Sequence, residues 1–185
     1  MKKINLILFS LLFLLLTKIS SIASEKTITG FVKVIDGDSI KINGINIRLF
    51  GIDAPEMKQV CKDEFKKDYY CGAESKNFLE RSILLKLSIP KNLFEEKEEK
   101  NYKVWCNSKG KDRYGRVLGI CGYDFLYASH PNNSLNGWMV KQGYAVAYKN
   151  YSKMFIKFED EAKKNKKGIW KGEFDMPWDW RKKNR

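Results

Sequence analysis

The apolar positions of this chain first fall into a two-residue rhythm and later into a helical one. Phe31-Val32-Lys33-Val34-Ile35 and Ser39-Ile40-Lys41-Ile42 read as short strands separated by Asp36-Gly37-Asp38. Asn43-Gly44 is a two-residue hairpin signal, because both residues tolerate positive φ. The third strand, Ile45–Leu49, then places Ile45, Ile47 and Leu49 on one face and Asn46 and Arg48 on the other. Met57–Tyr70 reads as a polar loop. From Gly72 or Ala73 to Leu87 the spacing becomes helical, with Leu79, Ile83 and Leu87 in one stripe that Phe78 widens and Pro90 stopping the helix. The charged run after it suits an exposed hairpin tip or a loop. Tyr102–Cys106 and Arg116–Cys121 read as paired strands. Ser134 is positioned to cap a helix running to Gln142, with Leu135, Trp138 and Met139 buried and Gly143 ending it. Tyr144–Tyr148 is strand-like. A last helix starts at Ser152, carries Phe155, Phe158 and Ala162 inward, crowds lysines at its C-terminal end and stops at Gly168.

About five strands with helices interspersed late suggest an α+β domain. The order is compatible with an OB-fold barrel, but the pattern alone does not separate that from other α+β folds. Residues 1–23 have a Lys2-Lys3 start, an apolar run from Leu6 to Leu16 and small residues at Ser21, Ala23 and Ser24, the make-up of a secretory signal peptide. The apolar run is too short to span a bilayer comfortably, so no stable membrane insertion is expected after cleavage. Cleavage would remove Lys2, Lys3 and Lys18 and lower the formal charge from +13 to +10. A field of that sign draws polyanions.

Export sets the reading of Cys61, Cys71, Cys106 and Cys121: outside the cytosol four cysteines favour two disulfides, with three pairings possible. No CxxC pair argues for zinc. Cys61–Cys71 would close a polar loop, and Cys106 and Cys121 flank Arg113-Tyr114 like two arms of a hairpin, so these are the pairings favoured. The single histidine, His130, stands in a Ser-His-Pro-Asn turn, which excludes a two-histidine ribonuclease mechanism and a His-rich metal site.

Asp36, Asp38, Arg48, Asp53 and Glu56 are gathered within the 23 residues Val34–Glu56. Each acidic fragment alone makes a good turn. A meander would bring them together around an arginine, and converging carboxylates suit a hard cation such as Ca²⁺ or Mg²⁺.

The run Asp36-Gly37-Asp38-Ser39, the hairpin and Arg48-Leu49-Phe50-Gly51-Ile52-Asp53-Ala54-Pro55-Glu56 resemble the active-site region of the thermonuclease (staphylococcal nuclease) family, and Asp112-Arg113-Tyr114-Gly115-Arg116 resembles its second signature. The resemblance covers Thr27 to Trp170. It implies an OB-fold five-stranded β-barrel with about three α-helices over residues 27–170, leaving 171–185 as a basic, tryptophan-containing tail that either packs back or stays partly mobile. It also implies a secreted, monomeric, Ca²⁺-dependent endonuclease acting on DNA and RNA. Asp38, Asp53 and the Ala54 carbonyl would hold the metal, and Asp36 would support its charge environment. Glu56 would hold or deprotonate water, and Arg48 and Arg116 would bind phosphate. Arg113, Tyr114 and Tyr148 would lie on the substrate side, with core packing the competing reading for both tyrosines. The alternative function is a non-catalytic OB module that binds nucleic acid. Such a module would have no need of the carboxylates and arginines this chain retains.

Overall fold

The computed structural model describes residues 26–86, 103–123 and 133–184. The proposed signal peptide, Leu87, Pro90, Tyr102 and His130 lie outside the described residues. Strands β1 (Thr27–Asp36), β2 (Ser39–Ile42), β3 (Ile45–Leu49), β7 (Lys103–Lys111) and β8 (Val117–Gly122) form a closed barrel in the order β1-β2-β3-β8-β7. All neighbours are antiparallel except β3 and β8, which run parallel with Arg48 opposite Leu118. The fold is the expected α+β OB-fold barrel.

Local chemistry sets each bend. Asn43 (φ 48°) and Gly44 (φ 83°) both take positive φ, the conformation of a hairpin turn twisted to match its strands. The pairing of β1 with β2 slips between Val34 and Asp36, a bulge that turns the chain into Gly37-Asp38. Inside the barrel Ile40, Ile42, Ile47, Leu49, Val104 and Cys106 are buried. Ile45 is instead 39% exposed, because it sits beside the hairpin tip, where the barrel face has ended.

The expected loop over residues 57–70 contains a small hairpin, β5 (Val60–Lys62) with β6 (Asp68–Tyr70). Its short charged strands carry too few alternating apolar residues to announce themselves, and Cys61–Cys71 ties its base to helix α1 (Cys71–Lys86). Helix α2 (Leu135–Lys141) begins as expected, with Ser134 Oγ accepting from Gly137 N at 3.0 Å. Leu135 and Met139 are buried. Trp138, expected inside, is 42% exposed and lays its ring along Phe78 while Nε1 donates to Ser82 Oγ.

The expected strand at 144–148 is reduced to β9 (Val146–Ala147), which pairs with β4 (Ile52–Asp53) and stands outside the barrel. The next helix, α3 (Ile156–Lys164), starts four residues later than Ser152 indicated, with Phe155 buried at its N-cap. A 3₁₀ turn (Gly168–Lys171) follows. The C-terminal tail then packs back through α4 (Pro177–Lys183), the fourth α-helix among the described residues where about three were expected. A second apolar cluster receives it: Cys61, Cys71, Val146 and Ile169 pack with Trp170, Phe174, Met176 and Trp178.

The candidate active site

The site begins with the bend after β1. Asp38 is 4% exposed, and its backbone N–H donates to Asp36 Oδ1 at 3.0 Å. Its own carboxylate accepts from Ser39 Oγ at 3.0 Å and from Ala54 N at 2.7 Å. Burial pushes the Asp36 carboxyl above its usual range, opposed by the Ser39 hydrogen bond and by Arg48. Asp53 lies on β4 and is fully buried. Arg48 reaches both aspartates: Nη1 pairs with Asp38 Oδ1 and Nη2 donates to Asp53 Oδ1 at 2.6 Å.

One buried side chain holds this arrangement to the barrel. Asn136 on α2 donates from Nδ2 to the carbonyls of Phe50 (2.9 Å) and Gly119 (3.0 Å), and its Oδ1 accepts from Cys121 N at 3.0 Å. The turn that links Arg48 to Asp53 is thereby fixed to β8.

Glu56 stands at the mouth, with its side chain 38% exposed. Its backbone forms a two-way contact with buried Gln59: the Glu56 N–H donates to Gln59 Oε1 at 3.2 Å, and the Glu56 carbonyl accepts from Gln59 N at 2.7 Å. Arg116 follows the β7–β8 turn. Asp112 organises that turn by accepting from Tyr114 N, Arg116 N and Arg116 Nε at 2.9, 2.9 and 2.7 Å. Burial works against the Asp112 charge, but these hydrogen bonds outweigh it and hold its carboxyl below the usual range. Among the described residues Arg116 is hydrogen-bonded through Nε alone, which leaves its two terminal nitrogens to face a ligand.

A single cavity of about 370 Å³ unites these parts. Asp36, Asp38, Arg48, Ala54, Glu56, Arg113, Tyr114, Arg116 and Tyr148 all line it. Asp53 is not on its wall but is bonded to Arg48, which is. Tyr114 is 68% exposed, with the Arg113 guanidinium 4.9 Å and that of Arg116 5.7 Å from its ring centre. Tyr148 stacks between Tyr151 at 5.0 Å and Trp178 at 5.7 Å, so it serves packing and the cavity wall together. Both disulfides join the expected partners. Cys106 and Cys121 face each other directly across β7 and β8.

The sequence reading missed Arg181 on α4. Its Nη2 donates to Asp53 Oδ2 at 2.7 Å, and its Nη1 to Asp53 Oδ1 at 3.1 Å and Glu56 Oε1 at 2.7 Å. Burial disfavours its charge, yet these bonds prevail and hold the guanidinium pKa above the usual arginine range. A signal existed: Trp178 and Arg181 are three apart in a Pro-started helix, hence on one face.

Among the described residues, no three His, Cys, Asp or Glu side chains are disposed as a metal cage. The donor set nonetheless suits a hard cation: Asp38 and Asp53 are buried oxygen donors that converge on one guanidinium, Arg48, with Arg181 added on Asp53.

Fold and site together define an OB-fold α+β protein whose cleft joins carboxylates to guanidinium groups. The chain belongs to the family of staphylococcal nuclease homologues, whose family model matches residues 46–172. It is 34% identical to the succinoglycan biosynthesis protein ExoI of Rhizobium meliloti, over 81% of this chain and 68% of that one. It is 30% identical to an uncharacterized endonuclease of Haemophilus influenzae, over 97% of this chain and 86% of the relative. The micrococcal nuclease of Shigella flexneri is 28% identical, over 82% and 78% of the two chains.

Proposed function

We propose that this chain is an exported, calcium-dependent endonuclease that hydrolyses phosphodiester bonds of DNA and RNA with low sequence specificity. The observation that carries this reading is the meeting of Glu56, Arg48 and Arg116 in one cavity, each from a different segment. Family membership and the relatives named as endonucleases and as a micrococcal nuclease support it. The two disulfides agree with export, and among the described residues no helix is long and apolar enough to cross a membrane.

Hydrolysis needs a positioned water, charge stabilisation on the phosphate and a docking surface. Glu56, exposed at the mouth, accepts a hydrogen bond from the attacking water and takes its proton. Arg116 presents its terminal nitrogens to the phosphate oxygens on which charge builds, and Arg48, in the wall of the same cavity, adds a second guanidinium. Asp38, Asp53 and the Ala54 carbonyl would hold Ca²⁺, which when bound supplies further positive charge at the phosphate. Asp36 fixes the backbone of Asp38. Arg113, Tyr114 and Tyr148 offer a cation and aromatic faces to the nucleotides beside the scissile bond, contacts that do not depend on base identity.

A nuclease assay on the monomeric chain lacking residues 1–23 tests this, with Ca²⁺, with EGTA and with Mg²⁺ in its place. Activity is expected with Ca²⁺, loss with EGTA and poor support by Mg²⁺, whose strict octahedral shell fits a carbonyl-containing site less well. Full activity in EGTA would overturn the calcium assignment.

A further inference from the structure

Arg181 lies beyond the residues matched by the family model and 128 positions from Asp53, yet it is bonded to two of the site's carboxylates. Its placement is built. Pro177 starts α4, Trp178 stacks on Tyr148, and buried Gln59 donates from Nε2 to the Asp175 carbonyl at 2.7 Å just before the helix. The same Gln59 receives the Glu56 N–H through its Oε1. One side chain thus joins the backbone that carries Glu56 to the segment that carries Arg181.

The charges explain what such a contact does. Asp53 is fully buried and would be costly as a carboxylate with too little counter-charge. Arg48 is shared between Asp38 and Asp53, so it does not neutralise both. Arg181 takes both oxygens of Asp53 and one of Glu56, the fork geometry that guanidinium alone provides. Asp53 Oδ2 has Arg181 as its partner, and a cation binding Asp53 meets that guanidinium first.

We infer that Arg181 is a positioning residue of the metal site: a resident counter-ion that holds Asp53 and Glu56 together in the metal-free protein and must leave Asp53 when the divalent cation binds. The inference rests on the calcium reading above. It makes the tail a part of the site and lowers metal affinity in exchange for a preassembled pair of carboxylates. Once Asp53 is released, the guanidinium remains tethered by α4 beside Glu56.

The test is calcium binding to the chain without nucleic acid, by titration calorimetry, for the unaltered protein and for Arg181→Met, Arg181→Lys and Lys182→Met. Arg181→Met should bind Ca²⁺ about tenfold tighter, since a competing charge is gone, and Arg181→Lys should fall between it and the unaltered protein. Lys182→Met, which removes an exposed charge from the same helix, should stay within twofold. A second readout needs no variant: the Arg181 Nε–Hε resonance should shift as Ca²⁺ saturates the unaltered protein. Equal or weaker binding by Arg181→Met, equal tightening by Lys182→Met, or an unmoved Arg181 resonance at saturation would each overturn the inference. No calcium binding by any of the four proteins would overturn the calcium reading itself, an outcome distinct from equal affinities.

Discussion

Gly72, the second residue of α1, allows the helix to pass against the loop segment that carries Glu56. A Cβ at this position would lie 1.8 Å from the Glu56 carbonyl oxygen, 2.3 Å from its carbon and 2.8 Å from Met57 N. Two effects of Gly72→Ala oppose each other. Alanine favours the helix over glycine by about 1 kcal/mol. Against that, ordinary contact begins at 3.4 Å, so the Glu56 oxygen and the helix must separate by 1.6 Å, the difference between 3.4 and 1.8 Å. Neither side retreats freely. Cys71, next to Gly72, is bonded to Cys61, and the Glu56 carbonyl is held by Gln59 N. Overpacking costs about 1–3 kcal/mol, and a clash this deep against backbone falls in the upper part of that range, about 2–3 kcal/mol, so the clash wins and a net loss of about 1–2 kcal/mol is expected.

The larger effect falls on the chemistry, because the displaced peptide carries the residue assigned to the attacking water. A misplacement of about 1 Å can cost about 10²-fold in rate. The assay is kcat on a phosphodiester substrate at saturating Ca²⁺ beside a calorimetric melt. A fall in Tm of about 2–8 °C should accompany the lost turnover. An unchanged kcat with an unchanged or higher Tm would show that helix propensity decides the outcome and that Gly72 does not position Glu56.

Arg116→Lys should lose about 10²–10³ in kcat with the melt preserved, because lysine keeps the charge but not the paired hydrogen bonds; an unchanged kcat would make Arg116 only a turn residue. Replacing Cys106 and Cys121 together by alanine should remove about 3 kcal/mol, from the loop-closure entropy of a bridge between cysteines 15 apart, and lower Tm by about 6–12 °C. Glu159 is buried, but hydrogen bonds from Lys149 and Lys163 hold its carboxyl below the ordinary 4.5. Its contribution is therefore complete above pH 4.5 and is lost as the pH falls through its lowered folded value. Glu159→Gln should make Tm less sensitive to pH in that acid range.

The barrel meander was legible because three independent signals agreed: alternation along each strand, positive-φ residues at 43–44, and acidic turn formers where the chain leaves the sheet. The elements read less well are those in which tertiary contact replaces local pattern. Val146–Ala147 is a strand only because Ile52–Asp53 pairs with it, and the apolar run around it belongs to a packed loop. The β5–β6 hairpin exists between charged residues because a disulfide closes its base. Asn136, bonded to three backbone groups around Phe50, Gly119 and Cys121, carries no local signal for that role, since helical spacing marks only Leu135, Trp138 and Met139 as the inner face. Its burial follows from the close approach of α2 to the β8 strand, a fact of packing rather than of periodicity.

Arg181 shows why a candidate site can be read correctly in its parts and still be incomplete. Arg48 is found from strand alternation: Ile47 and Leu49 must face the core, so Arg48 points the other way, toward the bend that carries Asp38. No such local rule reaches from Asp53 to a residue 128 positions away, and the closing WRKKNR reads only as a basic end that either packs back or stays partly mobile. What places the guanidinium is a chain of longer contacts. Phe174 and Met176 enter the second apolar cluster, Gln59 anchors Asp175, and Trp178 stacks on Tyr148. Trp178 and Arg181 share a helix face, so docking the indole on Tyr148 also sets the guanidinium over Asp53 and Glu56. The aromatic residues of the tail thus determine where its charge goes, and the buried Asp53 gives that charge a partner worth reaching.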